Sequence, residues 1–374
     1  MKKKMVGLIY TGEHINQLRD LTRTRAVAAL PMIGRYRMID FPLASMIHSG
    51  IKNIGIVMQK NYHSLMDHLG SGREWDLHGK RSGMTILPPY MTYDNVGVYE
   101  GLLDALRSNI NFLRRSQERY IVVTDTSIVF NVSFDDVLEQ HIAKGADMTL
   151  LYSKDRAARR HGSGRYLDID ENGIVRHLEC DPALPRYENT YLSCFLVRRE
   201  LLIDLVDRAV SGGLHHLTRE LLTQMLREKR HRVVGYECPG RVWVIDSIAS
   251  YFEANMDFLC AENRALIFNR ERPVWTKLRD EMPALYAEGA KVSNSLIADG
   301  CVIEGEVENS ILFRGVMIRP GAVVKNCIVM QDSVIQRHAQ IENVILDKQV
   351  NVQENSRLIS SPSYPLVVPK DMSI

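Results

Sequence analysis

The first 37 residues carry most of the charge that could bind an anion. Eight basic side chains stand there against the acids Glu13 and Asp20, which gives the segment a net charge of +6 in a chain whose total is +2. Arginine suits phosphate better than lysine does, because its planar guanidinium can donate two hydrogen bonds to one phosphate. The segment is therefore a candidate phosphate site, although a solvated face or salt bridges between subunits would explain it nearly as well. Its basic residues are Lys2, Lys3, Lys4, Arg19, Arg23, Arg25, Arg35 and Arg37.

The elements that must position this segment follow from the apolar pattern of residues 5–259. Short apolar runs alternate there with helical stretches, which favours a mostly parallel sheet covered by helices on both faces. Ligands of such sheets bind at the carboxyl ends of the strands. We therefore expect the active surface in the loops after Ile9, Met58 and Val123. Strands are predicted at 5–10, 54–58, 120–123 and 148–152, and helices at 43–50, 101–115 and 134–144.

A different repeat begins after residue 290. An aliphatic motif starts at Leu296, Ile311, Ile328 and Val344, at intervals of 15, 17 and 16 residues. Three faces of about six residues per coil give this spacing in a β-helix, whose stacked coils bury their aliphatic ladders. The sequence thus predicts about four β-helix coils followed by an apolar tail, and a small antiparallel sandwich is the alternative. The predicted division is a first domain over 1–261, a connector over 262–290 and the β-helix over 291–374.

Composition excludes several classes of protein. Lys and Arg number 47 against 45 Asp and Glu, so a general nucleic-acid binder is not expected. No apolar run approaches the roughly 20 residues of a membrane span, and the lysines at 2–4 precede too short an apolar run for an export signal. The six cysteines stand at wide spacings without a CxxC pair, which predicts free thiols in the cytoplasm rather than a zinc site.

A longer pattern of matching segments spans the chain. Residues 21–31 and 34–43 form a signature that continues through 49–54 and Gln59 and returns at 251–257. In these segments the chain resembles the bacterial ADP-glucose pyrophosphorylases, or glucose-1-phosphate adenylyltransferases. The resemblance implies an α/β nucleotidyltransferase domain of GT-A or Rossmann-like fold, followed by a left-handed β-helix. It also implies the family's reaction, in which ATP and glucose 1-phosphate give ADP-glucose and pyrophosphate.

The loop that would hold the nucleotide departs from the family's pattern. The family has Gly-Gly-x-Gly-Thr-Arg-Leu, because backbone amides must approach the triphosphate closely. Here only Gly12 remains, Glu13 and Ile15 occupy later glycine positions, and Asn16 and Gln17 replace the Thr and Arg. An acidic side chain repels a triphosphate, and a β-branched residue resists the open backbone of such loops. We therefore predict a degenerate nucleotide loop.

The resemblance also implies two metal-binding aspartates, of which the chain keeps one. The family's Gly-Asp-His turn becomes 124–126, where Asp125 could still ligate magnesium weakly. In the family's Trp-x-Asp-Val-Gly-Thr stretch, Val244 takes the ligand position and Asp246 the glycine position. Adenylyl transfer needs a divalent ion to neutralise charge on the phosphates. Asp246 could serve only if the register slipped by two residues.

Other substrate positions of the family are replaced as well. A phosphate-binding lysine becomes Val27, a sugar-phosphate lysine becomes Cys180, and two leucines, Leu102 and Leu103, stand where the nucleotide passes. The segment that contacts the sugar becomes 213–216, where adjacent histidines are interpreted as structural. Loss on the nucleotide, metal and sugar sides together favours a non-catalytic sister subunit. A second basic group is interpreted as a surface loop and comprises Arg156, Arg159, Arg160 and Arg165.

The positions retained by the chain indicate regulation. Anionic metabolites activate this family near the junction of the two domains, so the resemblance makes Arg25, Arg35, Arg37 and Gln59 candidates for binding phosphorylated effectors. The predicted function is a regulatory subunit that joins a catalytic subunit in a mixed tetramer or associates with itself. That role requires no cofactor, and Mg²⁺ would matter only for residual catalysis.

Two alternatives remain open at this point. The first is an active but degenerate adenylyltransferase that uses Asp125 and a displaced Asp246. The second is a scaffold of the same architecture without enzymatic activity.

Overall fold

The computed structural model describes residues 5–12, 16–79, 82–89, 99–159 and 164–374. A large sheet flanked by helices forms the first domain, and a three-sided solenoid of short parallel strands forms the second. The predicted nucleotidyltransferase-type sheet and left-handed β-helix are both confirmed. Within the described ranges no helix combines the length and apolarity that crossing a bilayer demands.

The strands of the first domain are β1 Met5–Tyr10, β2 Pro31–Met32, β3 Tyr36–Arg37, β4 Ile54–Val57, β5 Met84–Leu87, β6 Tyr120–Thr124, β7 Ile128–Val129, β8 Met148–Ser153, β9 Arg165–Ile169, β10 Val175–Cys180, β11 Asn189–Arg198, β12 Val233–Glu237 and β13 Trp243–Val244. Strands β6, β1, β4 and β5 are neighbours and run parallel. Strand β11 runs antiparallel to β6, β8 and β9, so the sheet is mixed on that side. Alternate residues of β1 enter two different cores, which explains its continuous apolar run.

The helices cover the faces of this sheet. They are α1 Asp40–His48, α2 His63–Leu69, α3 Leu102–Ser108, α4 Ile110–Arg115, α5 Phe134–Ala143, α6 Arg199–Ser211, α7 Thr223–Glu228, α8 Ile248–Asp257 and α9 Ala261–Ile267. Helix α5 starts after Ser133, whose side chain accepts a hydrogen bond from the amide of Asp136. The helix predicted over 101–115 is two helices, because the chain breaks at Asn109, whose side chain donates to the carbonyl of Ala105.

The solenoid consists of three parallel sheets with five strands each. One sheet contains β14 Leu285–Tyr286, β17 Val302–Ile303, β20 Met317–Ile318, β23 Val334–Ile335 and β26 Asn351–Val352. The second contains β15 Lys291–Ser293, β18 Glu306–Glu308, β21 Val323–Lys325, β24 Gln340–Glu342 and β27 Arg357–Ile359. The third contains β16 Leu296–Ile297, β19 Ile311–Leu312, β22 Ile328–Val329, β25 Val344–Leu346 and β28 Leu366–Val368.

Three details of the solenoid differ from the sequence prediction. Five coils are present rather than about four, since the residues predicted as an apolar tail form β28, which pairs with β25. Ile328 pairs with Ile345 rather than with Val344, so the last interval is 17 residues and not 16. Strand β14 lies inside the range predicted as connector and pairs with β17.

A third core joins the two domains. It contains aromatic and aliphatic side chains from the start of the first domain, from α8 and from the third sheet of the solenoid. The signature segment 251–257 holds this region together, because the Tyr251 hydroxyl donates to the carbonyl of Pro31 at 2.7 Å and the Asn255 side chain accepts from the amide of Ile33 at 3.0 Å. The residues that span the junction include Leu18, Leu21, Phe41, Ile311, Phe313, Ile328 and Ile345.

Candidate functional site

The carboxyl ends of β1 and β6 border an open cleft of about 290 Å³. This is the edge at which parallel sheets bind their ligands. Tyr10 and Gly12 contribute from the end of β1, and Thr124 and Asp125 from the end of β6. The loops predicted to be active after these two strands therefore meet at one site. Other walls are formed by Tyr99, Tyr191, Phe195, Arg165 and Arg219.

Of the two aspartates that were considered as metal ligands, Asp125 lines this cleft. It is buried, and its Oδ1 accepts hydrogen bonds from the amide and the hydroxyl of Ser127, both at 3.0 Å. Val244, which the resemblance aligns with the second metal ligand, is 6% exposed, packs in an apolar core and pairs with Ile128. Of the two positions that the resemblance assigns to metal ligands, Asp125 therefore carries a carboxylate and Val244 does not. The pair of aspartates that the resemblance implies at positions 125 and 244 is therefore incomplete.

Asp246 lies at the start of α8. Its amide donates to the hydroxyl of Ser250 at 2.9 Å, directly before the Ser247 capping box of that helix. Asp246 is not among the described residues that line the cleft, and neither it nor Asp125 belongs to a group of three possible metal ligands there. The use of Asp246 in place of the missing ligand stays a prediction.

The nucleotide loop is only partly described. Glu13 and Ile15 lie outside the described residues, and Asn16 begins a short 3₁₀ segment, Asn16–Thr22. Gly12 packs so closely under Gln59 and Tyr10 that a Cβ there would collide with both side chains. The remaining glycine is therefore required by this packing, whatever its role toward a ligand.

The four effector candidates separate into three places. Gln59 lies behind the cleft, where its side-chain amide donates to the Tyr10 hydroxyl at 3.0 Å and to the Tyr99 carbonyl at 3.2 Å. Arg35 lies 3.8 Å from the carboxylate of Asp299, and its side chain is 39% exposed. Arg25 and Arg37 are buried near the domain junction. The sequence grouped these four residues by family resemblance, and the fold brings only Arg25 and Arg37 near each other.

Arg25 is used to hold the domains together. Its Nη2 donates to both carboxylate oxygens of Asp347 at 2.8 Å, and the two side chains are 3% and 2% exposed. Arg37 donates to the carbonyl and the hydroxyl of Ser64, and burial lowers the pKa of Arg37 to about 10. Both predicted candidates are thus bound to protein partners inside the junction.

A cavity of about 660 Å³ opens beside the Arg25–Asp347 pair. Lys348 lines it, and burial together with the charges of Arg37, Arg25 and Arg279 lowers the pKa of Lys348 to about 7. The local field at this amine is therefore positive, although acids also line the cavity. Its other charged walls are Asp20, Arg23, Asp332, Lys370 and Asp371.

Two arginines of the cleft were missed by sequence reasoning. Arg165 pairs across the β9–β10 hairpin with Cys180, and its Nη1 donates to the Ser193 hydroxyl at 2.7 Å. Arg219 forms an ion pair with Asp181, next to Cys180. The resemblance aligns Cys180 with the family's sugar-phosphate lysine, so two arginines lie beside the position where that lysine is expected. Arg165 was interpreted as part of a surface loop, and only the pairing of the hairpin shows otherwise.

Comparison with known proteins agrees with this architecture. The model of the nucleotidyl transferase family matches residues 6–260, and the model of the GlmU-like C-terminal hexapeptide family matches residues 284–360. The chain is 31% identical to the glycogen biosynthesis protein GlgD of Bacillus subtilis (strain 168), over 99% of this chain and 96% of the relative. It is 33% identical to the glucose-1-phosphate adenylyltransferase of Geobacillus stearothermophilus, over 87% of this chain and 84% of the relative.

A further relative extends the match over nearly the whole chain. The glucose-1-phosphate adenylyltransferase of Bacillus mycoides (strain KBAB4) is 29% identical over 95% of this chain and 94% of its own length. The chain belongs to the nucleotidyl transferase family, within the group formed by the bacterial glucose-1-phosphate adenylyltransferases and the glycogen biosynthesis protein GlgD.

Proposed function

We propose that this chain is a regulatory subunit of glucose-1-phosphate adenylyltransferase in glycogen biosynthesis and does not itself catalyse the reaction. Val244 carries the proposal, because a buried valine occupies the position where adenylyl transfer needs a second metal carboxylate. Asp125 alone, bonded to Ser127, offers one weak ligand for Mg²⁺. The regulatory role requires no cofactor.

The junction cavity is the proposed effector site. Lys348 loses part of its charge near neutral pH because it is buried among three arginines, and an anion beside it would restore the charged form. A phosphorylated metabolite supplies such an anion. Arg23 and Lys370, both exposed at the rim, can contact its other oxygens. Because the cavity touches both domains, an effector there can change how the domains sit against each other.

The proposed partner is a catalytic subunit of the same family, in a mixed tetramer, or a second copy of this chain. The first coil of the solenoid exposes apolar side chains around its edge strands, including Leu278, Met282, Leu285, Tyr286 and Val292. A row of exposed apolar side chains beside unpaired strand edges is typical of a surface that another chain covers. The six free cysteines agree with the cytoplasmic location that we propose for the complex.

The experiment mixes this chain with the Geobacillus stearothermophilus adenylyltransferase and measures complex formation by size and the kinetics of the mixture. We expect a complex whose response to phosphorylated effectors differs from that of the catalytic subunit alone. Tyr286→Ser should weaken the complex, and Leu184→Ser, which removes an even more exposed apolar side chain from the first domain, is the matched control. If no complex forms, or if the partner's kinetics are unchanged in it, the regulatory role is wrong.

A second candidate function has one observation in its favour. Arg165 and Arg219 place two cations in the cleft beside the lost lysine, so a sugar phosphate could still be held there. The chain would then be a weak adenylyltransferase that depends on Asp125. In that case Asp125→Asn would abolish pyrophosphate release, whereas in the regulatory role there is no release to abolish.

A further inference from the structure

Three side chains other than the predicted metal pair bring metal-binding atoms together beside the cleft. They are Glu100, Asp104 and His215, and their ligand atoms all lie within 4.8 Å of one another. Nδ1 of His215 is 2.9 Å from a carboxylate oxygen of Asp104 and 3.6 Å from one of Glu100. We propose that these residues bind a divalent cation of the zinc, cobalt and nickel class.

The two separations measured from the His215 nitrogen suit a metal of that class. Zinc bonds of about 2.0–2.2 Å to nitrogen and oxygen place neighbouring ligand atoms about 2.9 Å apart at a right angle and about 3.5 Å apart at a tetrahedral angle. The two separations from the His215 nitrogen fall at these values. The cation would replace the hydrogen that Nδ1 now shares with Asp104.

Main-chain contacts bring the ligands together, so the cluster does not depend on flexible side chains alone. The amide of Leu103 donates to the carbonyl of His215 at 3.1 Å. Gly101 permits this contact, because a Cβ there would collide with the same carbonyl. The amide of Glu100 donates to Asp104 Oδ2 at 3.1 Å, and the amide of His215 donates to Glu220 at 2.7 Å. These bonds orient two of the ligands before any cation binds, which raises affinity.

The donor set decides the class of cation. One imidazole nitrogen with two carboxylates suits zinc, cobalt or nickel, whereas magnesium prefers an all-oxygen shell with several waters. A bound cation would join the start of α3 to the loop before the π-helical turn Leu217–Leu222. Glu100, Gly101, His216 and Leu217 all line the cleft. The cation would therefore fix one wall of the cleft, and this role is independent of whether the chain regulates a partner.

The test is calorimetric titration of the purified full-length chain with ZnCl₂ and, separately, with MgCl₂, after treatment with a chelator. We expect one zinc site of higher affinity than any magnesium binding. Glu100→Gln and His215→Gln should each weaken this site about tenfold or more. His177→Gln, which removes an exposed histidine of β10, should leave it unchanged.

Glu100 is 71% exposed, so its substitution does not endanger folding, and a circular dichroism spectrum checks the His215 variant. The absence of zinc binding to the unaltered chain would overturn the proposal. So would equal zinc binding in both variants, or magnesium binding as tight as zinc binding. Failure of the regulatory role would leave this result untouched, because the readout is binding rather than activity.

Discussion

The cleft and the domain junction use their buried charges in opposite ways. In the junction, Arg25 and Asp347 face each other across the two domains and are almost fully buried. In the cleft, Asp125 is bonded to Ser127 on its own turn, and the position opposite in the family's chemistry is an apolar valine, Val244. The junction therefore pairs its buried charges between the two domains, whereas the buried Asp125 of the cleft is bonded within one turn.

Substitutions in the two regions should therefore have different effects. A buried ion pair that loses one partner leaves an uncompensated charge in an apolar surrounding, which costs far more than breaking a surface pair. If the chain is a regulatory subunit, as we propose, the cleft has no turnover to lose. Substitutions at the junction should thus change stability and effector binding, whereas substitutions in the cleft should leave turnover near zero.

The largest expected effect tests the junction directly. Asp347→Ala leaves Arg25 buried without its partner and should lower the free energy of unfolding by about 3–5 kcal/mol, measured by urea denaturation. The matched control is Glu308→Ala, which removes an exposed partner of Lys325 and should cost less than about 1 kcal/mol. Equal losses in the two variants would show that the junction pair has no special role.

The next effect tests the cleft. Val244→Asp restores the missing carboxylate but buries it in an apolar core, so the free energy of unfolding should fall by about 1–3 kcal/mol. Turnover should stay undetectable, since Val27 and Cys180 still stand where the family has lysines. Val244→Thr, similar in shape but without a charge, separates the packing effect from the charge effect. Pyrophosphate release by Val244→Asp would show that one residue alone inactivates the cleft.

A smaller effect concerns pH at the junction cavity. The pKa of Lys348 is lowered to about 7, so this side chain is charged below pH 7 and loses its charge as the pH rises through 7. Sulfate, which does not titrate in this range, should bind up to about tenfold more weakly for each pH unit above 7. Thermal stabilisation by sulfate at pH 6 and pH 8 measures this.

Two variants show which side chain causes that pH dependence of sulfate binding. Lys348→Gln should remove it, because the titrating amine is gone. His63 also lines the cavity, so His63→Gln is the control and should preserve it. If His63→Gln abolishes the pH dependence and Lys348→Gln preserves it, the group that titrates is not Lys348.

The smallest effect belongs to Arg35. Its ion pair with Asp299 is long and exposed, so Arg35→Ala should change the free energy of unfolding by less than about 1 kcal/mol. Because Arg35 does not line the junction cavity, sulfate affinity should also stay the same. Arg23→Ala, at the rim of the cavity, should weaken sulfate binding by comparison. A larger loss of sulfate affinity in Arg35→Ala than in Arg23→Ala would place the anion site near Arg35 rather than in the junction cavity.

Much of the fold could be read from the sequence because its signals are local. The buried strands are continuous apolar runs, and the solenoid repeats its aliphatic ladder. The register of the last coil was misread because Val344 and Ile345 are both aliphatic. The corner asparagines carry a better signal, since Asn326 and Asn343 stand 17 residues apart at positive φ, each two positions before a paired isoleucine. Asparagine tolerates that conformation better than most residues.

The candidate site was harder to predict because it depends on which distant segments meet. The buried valine at position 244 followed from its place in a motif. The arrival of Arg165 in the cleft depends on the β9–β10 hairpin, and the separation of Arg35 from Arg37 depends on the directions of their side chains. Neither the hairpin pairing nor these side-chain directions can be recognised from the spacing of residues in the sequence.

The most direct measurement of the central claim is pyrophosphate release by the purified chain with ATP, glucose 1-phosphate and Mg²⁺, alone and mixed with a catalytic homologue. We predict no measurable release by the chain alone, and a changed rate or effector response of the homologue in the mixture. Turnover by the chain alone within tenfold of ordinary enzymes, about 1–1000 per second, would contradict the account.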